Sequence, residues 1–455
     1  MAGIVLPRVN RGEESAGEPR GLDMVFSSLG FIVGKAAAMG LGFVFWLIAA
    51  RLASATAVGL TAGATSAIML CGQFSLPGVG AALIGCYPDH RLRPQRLLDT
   101  VFTIGTVLGL VTGGAFLLLS TGLLEKLKVI ASQPWFAAMF LAMSVFGTLG
   151  YVFDSVSMAQ GRGDHVIVRN AANGLITIVP LILVPLFGIH PGSQALFGFW
   201  VFGAFTATVL ALVQFGRAPG RYRYRPQADG QLVRRLMRTG LANQPLTLVE
   251  KAPGLILAII VTELISPEAN AYWYTVWMMA WLVYTIPISF GVGLYAEVVR
   301  RPETLAADLR RALAATAGLG VPAAVGLGVI AHPLLGLLGR QYAAAGTVPL
   351  RILLFGCIPF ALVQLYFAVC RAYGRLGEAV ATSAATIGLG LVAGVLGART
   401  GSLTVTALYW VLTQAVFGVW AGWRMSQLVR PGVDLDSAVR PAPLAPARPL
   451  EPVMP

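Results

Sequence analysis

Twelve apolar runs divide this sequence, and each is long enough to cross a lipid bilayer, which takes about 20 residues of helix. The chain of 455 residues is 56% hydrophobic and only 12% charged, whereas soluble domains carry about 25% charged residues. The sequence therefore predicts an all-α polytopic membrane protein. The predicted spans are residues 24–50, 57–86, 98–121, 134–158, 166–188, 195–216, 240–262, 271–295, 312–337, 350–370, 378–397 and 403–423.

The placement of basic residues predicts how these spans are oriented. Most of the 33 Lys and Arg residues lie in the two tails and in the loops on the same side as the tails. Because basic residues collect in cytoplasmic loops, both termini are predicted to be cytoplasmic. The net charge of +13 follows from this bias and does not indicate nucleic-acid binding. The Arg-rich loop at 217–239 is either a topology signal between two halves or a contact with anionic membrane lipids.

Two sequence matches at nearly one offset predict that the chain is a duplicated unit. ARLASATAVGL (50–60) aligns with TELISPEANAY (262–272), and AQGRGD (159–164) aligns with AYGRLGE (372–378). Each half then holds six helices, so both halves insert in the same orientation and their repeat axis follows the membrane normal. The predicted divisions are a cytoplasmic N-terminal tail (1–23), an N-lobe (24–216), a basic linker (217–239), a C-lobe (240–423) and a disordered Pro-rich tail (424–455).

Ionisable side chains within the spans are the first candidates for a functional site. Lys35 lies near the middle of the first span and Lys251 at the centre of the seventh, where a charge costs at least ~2.5–3.5 kcal/mol. Asp154 and Glu250 are carboxylates at comparable depth. In one interpretation Lys35 pairs with Asp154, and Lys251 pairs with Glu250 or another acid. In the other, the lysines line a cationic cavity that receives an anionic head group.

Three tryptophans of the eighth span share one helix face. Trp273, Trp277 and Trp281 recur at every fourth residue, which places them on one side of an α-helix. An interfacial belt combined with helix packing is one interpretation. Trp281 lies about 12 Å along the helix from Trp273, which is deeper than a belt. The alternative is an aromatic wall, formed by Trp277 and Trp281, along which sugar rings or prenyl chains slide.

No motif in the sequence predicts a cofactor, a metal site or catalysis. The four cysteines and four histidines show no ligand spacing. The segment GFIVGK (30–35) looks like a phosphate-binding loop but has one residue too few between its glycines, and Ala36 replaces the Ser or Thr that binds magnesium. The predicted outer loops are short and carry no acid–base pair. We therefore predict a protein that is not an enzyme, with coupling to H⁺ or Na⁺ left open.

A family resemblance is carried by three stretches of the chain. LGFIVGKAAAMGLGFVFWLIAARLASATAVGL (29–60), GLANQPLTLVEKAPGLILAIIVTELISPEANAYWYTV (240–276) and IPISFGVGLYAEVVRRPETLAADLRRAL (286–313) resemble the polysaccharide exporters, the lipid-linked oligosaccharide flippases of the superfamily that also holds the multidrug and toxin extruders. The resemblance implies a V-shaped, MATE-like carrier of twelve helices in two six-helix lobes with pseudo-two-fold symmetry. By alternating access such a carrier moves an undecaprenyl-diphosphate-linked oligosaccharide from the cytoplasmic to the outer leaflet, for cell-surface polysaccharide biosynthesis.

In that family, cationic residues of the central cavity meet the diphosphate and sugar, and Lys35 and Lys251 occupy suitable places. The implied partners are the lipid-linked oligosaccharide and membrane lipids, and a polysaccharide polymerase is a candidate. The richness in Ala, Gly and Arg favours a bacterium, so the expected location is the bacterial cytoplasmic membrane.

Three other functions remain as alternatives. An ion-coupled multidrug antiporter of the same fold would use carboxylates such as Asp154, but mid-membrane lysines would repel cationic drugs. A lipid II flippase usually has two further helices. A membrane polymerase or ligase of the same glycans needs a large outer loop with catalytic residues, which the spacing of the spans does not leave room for.

Overall fold

The computed structural model describes residues 39–87, 90, 94–217, 222, 224–301 and 304–429. Within these ranges the regular structure is helical and no strand occurs. The α-helices are α1 (Met39–Leu52), α2 (Ala55–Ser75), α3 (Val79–Cys86), α4 (Gln95–Leu123), α5 (Lys128–Ser132), α6 (Pro134–Ala159), α7 (Gly163–Leu183), α8 (Ser193–Arg217), α9 (Gly230–Leu264), α10 (Pro267–Arg300), α11 (Leu305–Gly336), α12 (Arg340–Phe355), α13 (Cys357–Ala372), α14 (Leu376–Arg399) and α15 (Leu403–Leu428).

The helices agree with an all-α membrane protein of about twelve spans. Among the described residues nine helical segments are long and apolar enough to cross a bilayer, and the bent pair of α12 and α13 makes a tenth. The other two predicted spans correspond to α1 and α9. The described part of α1 is short, and α9 carries a basic first section. Lys35 and the rest of the first predicted span before Met39 lie outside the described residues.

Two helices begin earlier than the hydropathy of the chain indicates. The α9 helix begins at Gly230 rather than at residue 240, because the Asp229 carboxylate caps it by accepting from the backbone N–H groups of Gln231 and Leu232. The last ten residues of the predicted linker, 230–239, are therefore helical. The α12 helix begins at Arg340, ten residues before the predicted span, and its first turns are too polar for a hydropathy window to detect.

Two spans are broken, and proline accounts for both breaks. Pro77 and Gly78 within the second predicted span predict an interruption there, and the structure has one, because α2 ends at Ser75 and α3 begins at Val79. Gly78 has a φ of 60°, a left-handed conformation that glycine adopts without steric cost. Between α12 and α13 the chain bends by 42°. Pro359 lies four residues after Phe355 and cannot donate to its carbonyl, so the helix bends there.

The two halves pack as separate lobes that touch along four helices. In the N-lobe α4 packs on α6 and α7 on α8, and in the C-lobe α10 packs on α13 and α14 on α15. The lobes meet where α2 contacts α9 and α10, and where α3 contacts α9. The ring of Trp46, in α1, lies 5.0 Å from that of Tyr274, in α10. A single hydrophobic core therefore joins the two lobes at this contact.

The lobes are held together at the end of the molecule that lies away from the linker. The Glu263 carboxylate accepts hydrogen bonds of 2.7 to 3.0 Å from the consecutive backbone N–H groups of residues 125–127. In return the Lys126 ammonium donates to the carbonyls of Glu263 and Ile265, each at 2.9 Å. Asn270 donates to the Gly59 carbonyl at 2.9 Å. We call these contacts the distal clasp.

A second set of contacts joins the lobes at the linker end. Gly78 and Gly240 approach so closely that a Cβ atom on Gly240 would lie 1.9 Å from the Pro77 carbonyl oxygen. The linker itself docks on the first turn of α4, where the Tyr222 hydroxyl donates to Asp99 at 2.7 Å. Burial, reinforced by this carboxylate acceptor, raises the pKa of Tyr222. Both ends of the lobe interface are thus in contact in this conformation.

Candidate functional site between the lobes and in the C-lobe

Lys251 lies on the side of α9 that faces the N-lobe. Gly240, Gln244 and Thr262 all contact α2 or the break that follows it. These residues lie eleven, seven and eleven positions from Lys251, which are near-integral numbers of helical turns. Lys251 therefore belongs to the same lobe-facing stripe.

Lys251 lies between two points at which α9 contacts α2, and these points are farther apart on α9 than on α2. On α2, the two contact points Gly63 and Gln73 are ten residues or about 15 Å apart. On α9, the corresponding points Thr262 and Gln244 are eighteen residues or about 27 Å apart. The extra length of α9 between these points includes Lys251, and we infer that it leaves a gap between the lobes there. The Lys251 side chain is exposed there.

The ammonium of Lys251 has no ion-pair or hydrogen-bond partner among the side chains that the structure describes. The cavity interpretation of Lys251 and its internal ion pair with Glu250 therefore both stay predictions. Glu250 is the next residue along α9, but its side chain is not among those described, and Lys35 lies outside the described residues. The roles of these two residues stay predictions.

Trp277 and Trp281 lie together in a cleft inside the C-lobe, which opens between five helices and encloses about 350 Å³ including its open side. Charged side chains are absent from the described residues that line it. The lining consists of Pro253, Trp277, Trp281, Phe360, Val363, Gln364, Thr386, Ile387, Trp410 and Gln414.

The aromatic rings of the cleft pack mainly edge to face. Trp277 and Trp410 are 5.1 Å apart at 82°, and Trp281 and Phe360 are 6.4 Å apart at 64°. Such pairs fix one another's orientation. Trp273, the third tryptophan of the stripe, is fully buried in the core and does not line the cleft. For Trp273, helix packing rather than an interfacial belt explains the position.

We infer that the cleft opens toward the gap between the lobes on the side of Trp281. Trp281 is half-buried and lies seven residues, or two turns, after Tyr274, which contacts Trp46 of the N-lobe. Trp277 and Trp410 are buried and form the floor. Gln364 and Gln414 also line the cleft, and the sequence did not predict them as site residues. Both residues could have been proposed from the sequence, since each is an isolated amide within an apolar run.

Asp154 is placed in a buried polar network of the N-lobe. Its carboxylate lies 2.8 Å from Nη2 of Arg169, and Arg169 is 3% exposed. The guanidinium also donates to Ser157 at 3.1 Å and to Gln214 at 2.9 Å. Arg169 was not considered as a buried cation because it lies at the start of the fifth span, next to a basic loop. The network ties α6, α7 and α8 together.

The C-lobe has a matching network. Glu378, at the start of α14, accepts hydrogen bonds from Arg424 of α15 at 2.7 Å and from Arg375 at 3.2 Å. Arg424 donates in turn to Gln427. Gln427 lies 213 residues after Gln214 of the N-lobe network. The two Gly-Arg pairs of the repeat are also 213 residues apart. In each lobe an arginine–carboxylate pair joins neighbouring helices, and the pair is buried in the N-lobe and partly exposed in the C-lobe.

Two six-helix lobes of membrane-spanning helices are an architecture that membrane transporters use. The family described as "Polysaccharide biosynthesis protein" matches residues 48–346, more than half of the chain. The chain belongs to this family, and the resemblance seen in its sequence is confirmed. No curated protein matches the chain at a significant level.

Solved structures with the same fold are transporters. The structure of the lipid II flippase MurJ in an inward closed conformation matches with a TM-score of 0.66 at 12% identity, over 89% of this chain and 87% of that one. An inward-facing MATE family multidrug resistance transporter of the MOP superfamily matches at 0.63 and 14%, over 88% and 99%. A MOP superfamily transporter from Pyrococcus furiosus matches at 0.58 and 15%, over 90% and 96%. At these identities the likeness shows the fold alone.

Proposed function

We propose that this protein is a flippase that moves a polyprenyl-diphosphate-linked oligosaccharide across the membrane by alternating access. Membership of a polysaccharide biosynthesis family supports a glycan cargo. The predicted orientation places the linker end in the cytoplasm of a bacterium and the distal clasp at the outer face. In this proposal the lipid-linked oligosaccharide enters the gap from the linker end and leaves from the clasp end. A polysaccharide polymerase would receive it there.

The observation that carries the proposal is the exposed Lys251 side chain between the lobes, whose ammonium has no partner among the described side chains. A diphosphate brings negative charge into a site of low dielectric, where a charge-assisted hydrogen bond to a lysine is strong. Lys35, in the first helix of the other lobe, would supply the second cation, and Glu250 would adjust the charge beside Lys251. Asp154 acts through Arg169, whose position it holds. Trp277 and Trp281 would face the sugars.

The first test of the proposal is deletion of the gene in its host, followed by mass spectrometry of the lipids. The expected result is accumulation of a polyprenyl-diphosphate oligosaccharide, whose mass also separates a surface glycan from lipid II. An unchanged lipid-linked pool with altered sensitivity to cationic drugs would instead favour a multidrug antiporter.

Substitution of Lys251 tests the assignment of the site. We expect Lys251→Ala to lower export by at least about tenfold, since a hydrogen bond to a charged group contributes roughly 1.5–3 kcal/mol. Lys251→Arg keeps the charge and should retain most export. Lys128→Ala removes an exposed lysine outside the gap and serves as the control. Normal export in a double Lys35→Ala, Lys251→Ala variant that is present in the membrane at the usual level would contradict the assignment.

A further inference from the structure

We propose that the C-lobe cleft binds an uncharged sugar ring of the cargo, with the amides of Gln414 and Gln364 as hydrogen-bonding groups and Trp281 as a stacking face. The inference rests on the proposed flippase function and names a second binding site for it, distinct from the cationic gap.

Unsatisfied polar groups in the cleft point to a ligand. Gln414 is 4% exposed, yet its amide has no hydrogen-bond partner among the described residues. The buried indole N–H of Trp410 is also without one. Gln364 is half-buried near the mouth, and no described residue pairs with its side-chain amide. Because buried polar groups in proteins are nearly always hydrogen-bonded, these groups indicate that a polar molecule completes the cleft.

The chemistry of the lining selects a neutral, hydroxyl-bearing ligand. An amide both donates and accepts, as a sugar hydroxyl does, and the four rings offer apolar faces to the C–H face of a pyranose. The described lining has no carboxylate to hold a cation and no basic group to hold a phosphate. A metal ion and the diphosphate itself are therefore poor occupants, and a sugar ring, whose hydroxyls can pair with the amides, is a good one.

The cleft is narrow in this conformation and must widen to admit a ring. The space between the side chains has room for about one water molecule. Phe360 and Gln364 both lie on α13, which meets α12 at the bend of 42°. A rotation of α13 about this joint would move both side chains away from Trp281 and open the mouth. Ligand entry would thus be coupled to the motion of the lobe.

The position of the cleft relative to Lys251 suits one cargo molecule. Pro253, in the cleft lining, follows Lys251 by two residues, so the two side chains project about 200° apart around α9. The cation lies on the gap side of the helix and the cleft behind it, with the mouth at Trp281. A diphosphate held at Lys251 would leave the sugars attached to it within reach of the mouth.

The proposal can be tested with the full chain in lipid nanodiscs and two halves of the cargo as probes. The lipid-linked oligosaccharide that accumulates in the deletion strain is cleaved with mild acid to give the free glycan. Undecaprenyl diphosphate without sugar is the second probe. Because Trp277, Trp281 and Trp410 line the cleft, intrinsic tryptophan fluorescence reports its occupancy. The variants are Gln414→Leu, Trp281→Ala and Lys251→Ala, with Thr413→Val on the same helix as the matched control.

We expect the free glycan to change the fluorescence of the wild-type protein and of Thr413→Val. Gln414→Leu should weaken this response about tenfold, as the loss of roughly one hydrogen bond, and Trp281→Ala should weaken it further. Undecaprenyl diphosphate binding should instead depend on Lys251 and ignore Gln414. The thermal unfolding midpoint of each variant shows that it folds, and Gln414→Glu provides a second variant of similar shape.

Two results would overturn the inference, and they differ from failure of the proposed function. If the deletion strain accumulates the lipid-linked oligosaccharide but its free glycan leaves the tryptophan fluorescence unchanged, the flippase stands and the cleft is not a sugar site. The same conclusion follows if folded Gln414→Leu binds the glycan as tightly as Thr413→Val does. If no lipid-linked oligosaccharide accumulates, the proposed function fails first and the sugar site fails with it.

Discussion

At the scale of single residues, burial separates the two kinds of charge in this protein. Asp154 and Arg169 are buried and satisfy one another within the N-lobe, whereas Lys251 is exposed in the gap. Burial of an ion pair has a desolvation free-energy cost. Removal of one partner strongly destabilises the fold, because the other partner is left as an uncompensated buried charge. A charge beside a wet gap costs less and is free to meet a ligand. The first pair therefore supports the structure, and the lysine is available for function.

Removal of one partner of the buried pair should unfold the N-lobe at a lower temperature. We expect Arg169→Gln to lose roughly 3–5 kcal/mol, because Asp154 is left as a buried, uncompensated charge. Arg162→Gln, which disrupts the exposed pair with Asp164, should change stability by less than about 1 kcal/mol. Thermal unfolding of the two purified variants in detergent, compared with the wild type, measures the difference. Equal midpoints for Arg169→Gln and Arg162→Gln would contradict the structural role.

At the scale of the helices, close contacts decide where glycine is required. A Cβ atom on Gly418 of α15 would lie 2.8 Å from Cα of Pro359 and 2.9 Å from its carbonyl oxygen. One turn later, a Cβ on Gly422 would meet its nearest neighbour, Leu362, at 3.8 Å. The first contact involves backbone atoms of α13 that cannot move without shifting the helix. The second is an ordinary van der Waals distance.

The two glycines therefore form a matched pair for mutation. Gly418→Ala should destabilise the C-lobe by about 1–3 kcal/mol through overpacking. Gly422→Ala should be neutral or stabilising by up to ~1 kcal/mol, because alanine is the better helix former. Unfolding midpoints of the two variants in detergent give the comparison. A midpoint for Gly418→Ala at or above that of Gly422→Ala would show that α13 and α15 are less closely packed than the structure indicates.

At the scale of the whole molecule, the lobe interface has a glycine contact at each end. A Cβ on Gly59 would lie 1.6 Å from the Pro267 carbonyl oxygen at the distal end, and one on Gly240 would collide with Pro77 at the linker end. Alternating access requires each end to open in turn while the other stays closed. Steric bulk at one glycine should therefore block closure of that end alone.

We expect Gly59→Leu to hold the distal end open and Gly240→Leu to hold the linker end open. Both variants should fail to export while remaining folded, since each can occupy only part of the transport cycle. Spin labels at positions 128 and 340 report the distal end, and labels at positions 162 and 376 report the linker end. The distance within the first pair should increase in Gly59→Leu only, and within the second pair in Gly240→Leu only. Identical distances in the two variants would contradict independent gates.

Much of this architecture could be predicted from the sequence because it follows from local composition. A bilayer requires helices of a fixed length, so hydropathy alone predicts the spans, and Pro77 with Gly78 marks a break in one of them. The depth of Lys251 and the stripe of Trp277 and Trp281 follow from helical geometry. The amphipathic start of α12 and the basic start of α9 were not predicted, because hydropathy finds segments that lipid stabilises and packing stabilises these two.

The sequence by itself determined the class of the protein and the lysine at the centre of the seventh span, since both depend on residues close together in the chain. The repeat was predicted by comparing the two halves of the sequence, which requires no structure. Only the tertiary structure decided which charges meet. Arg169 pairs with Asp154 because α6 and α7 pack side by side, and Glu378 reaches Arg424 across 46 positions of sequence. The cleft likewise exists only because five helices bring Trp281, Gln364 and Gln414 together. Contacts between distant residues depend on helix packing, which the local pattern of a single sequence does not specify.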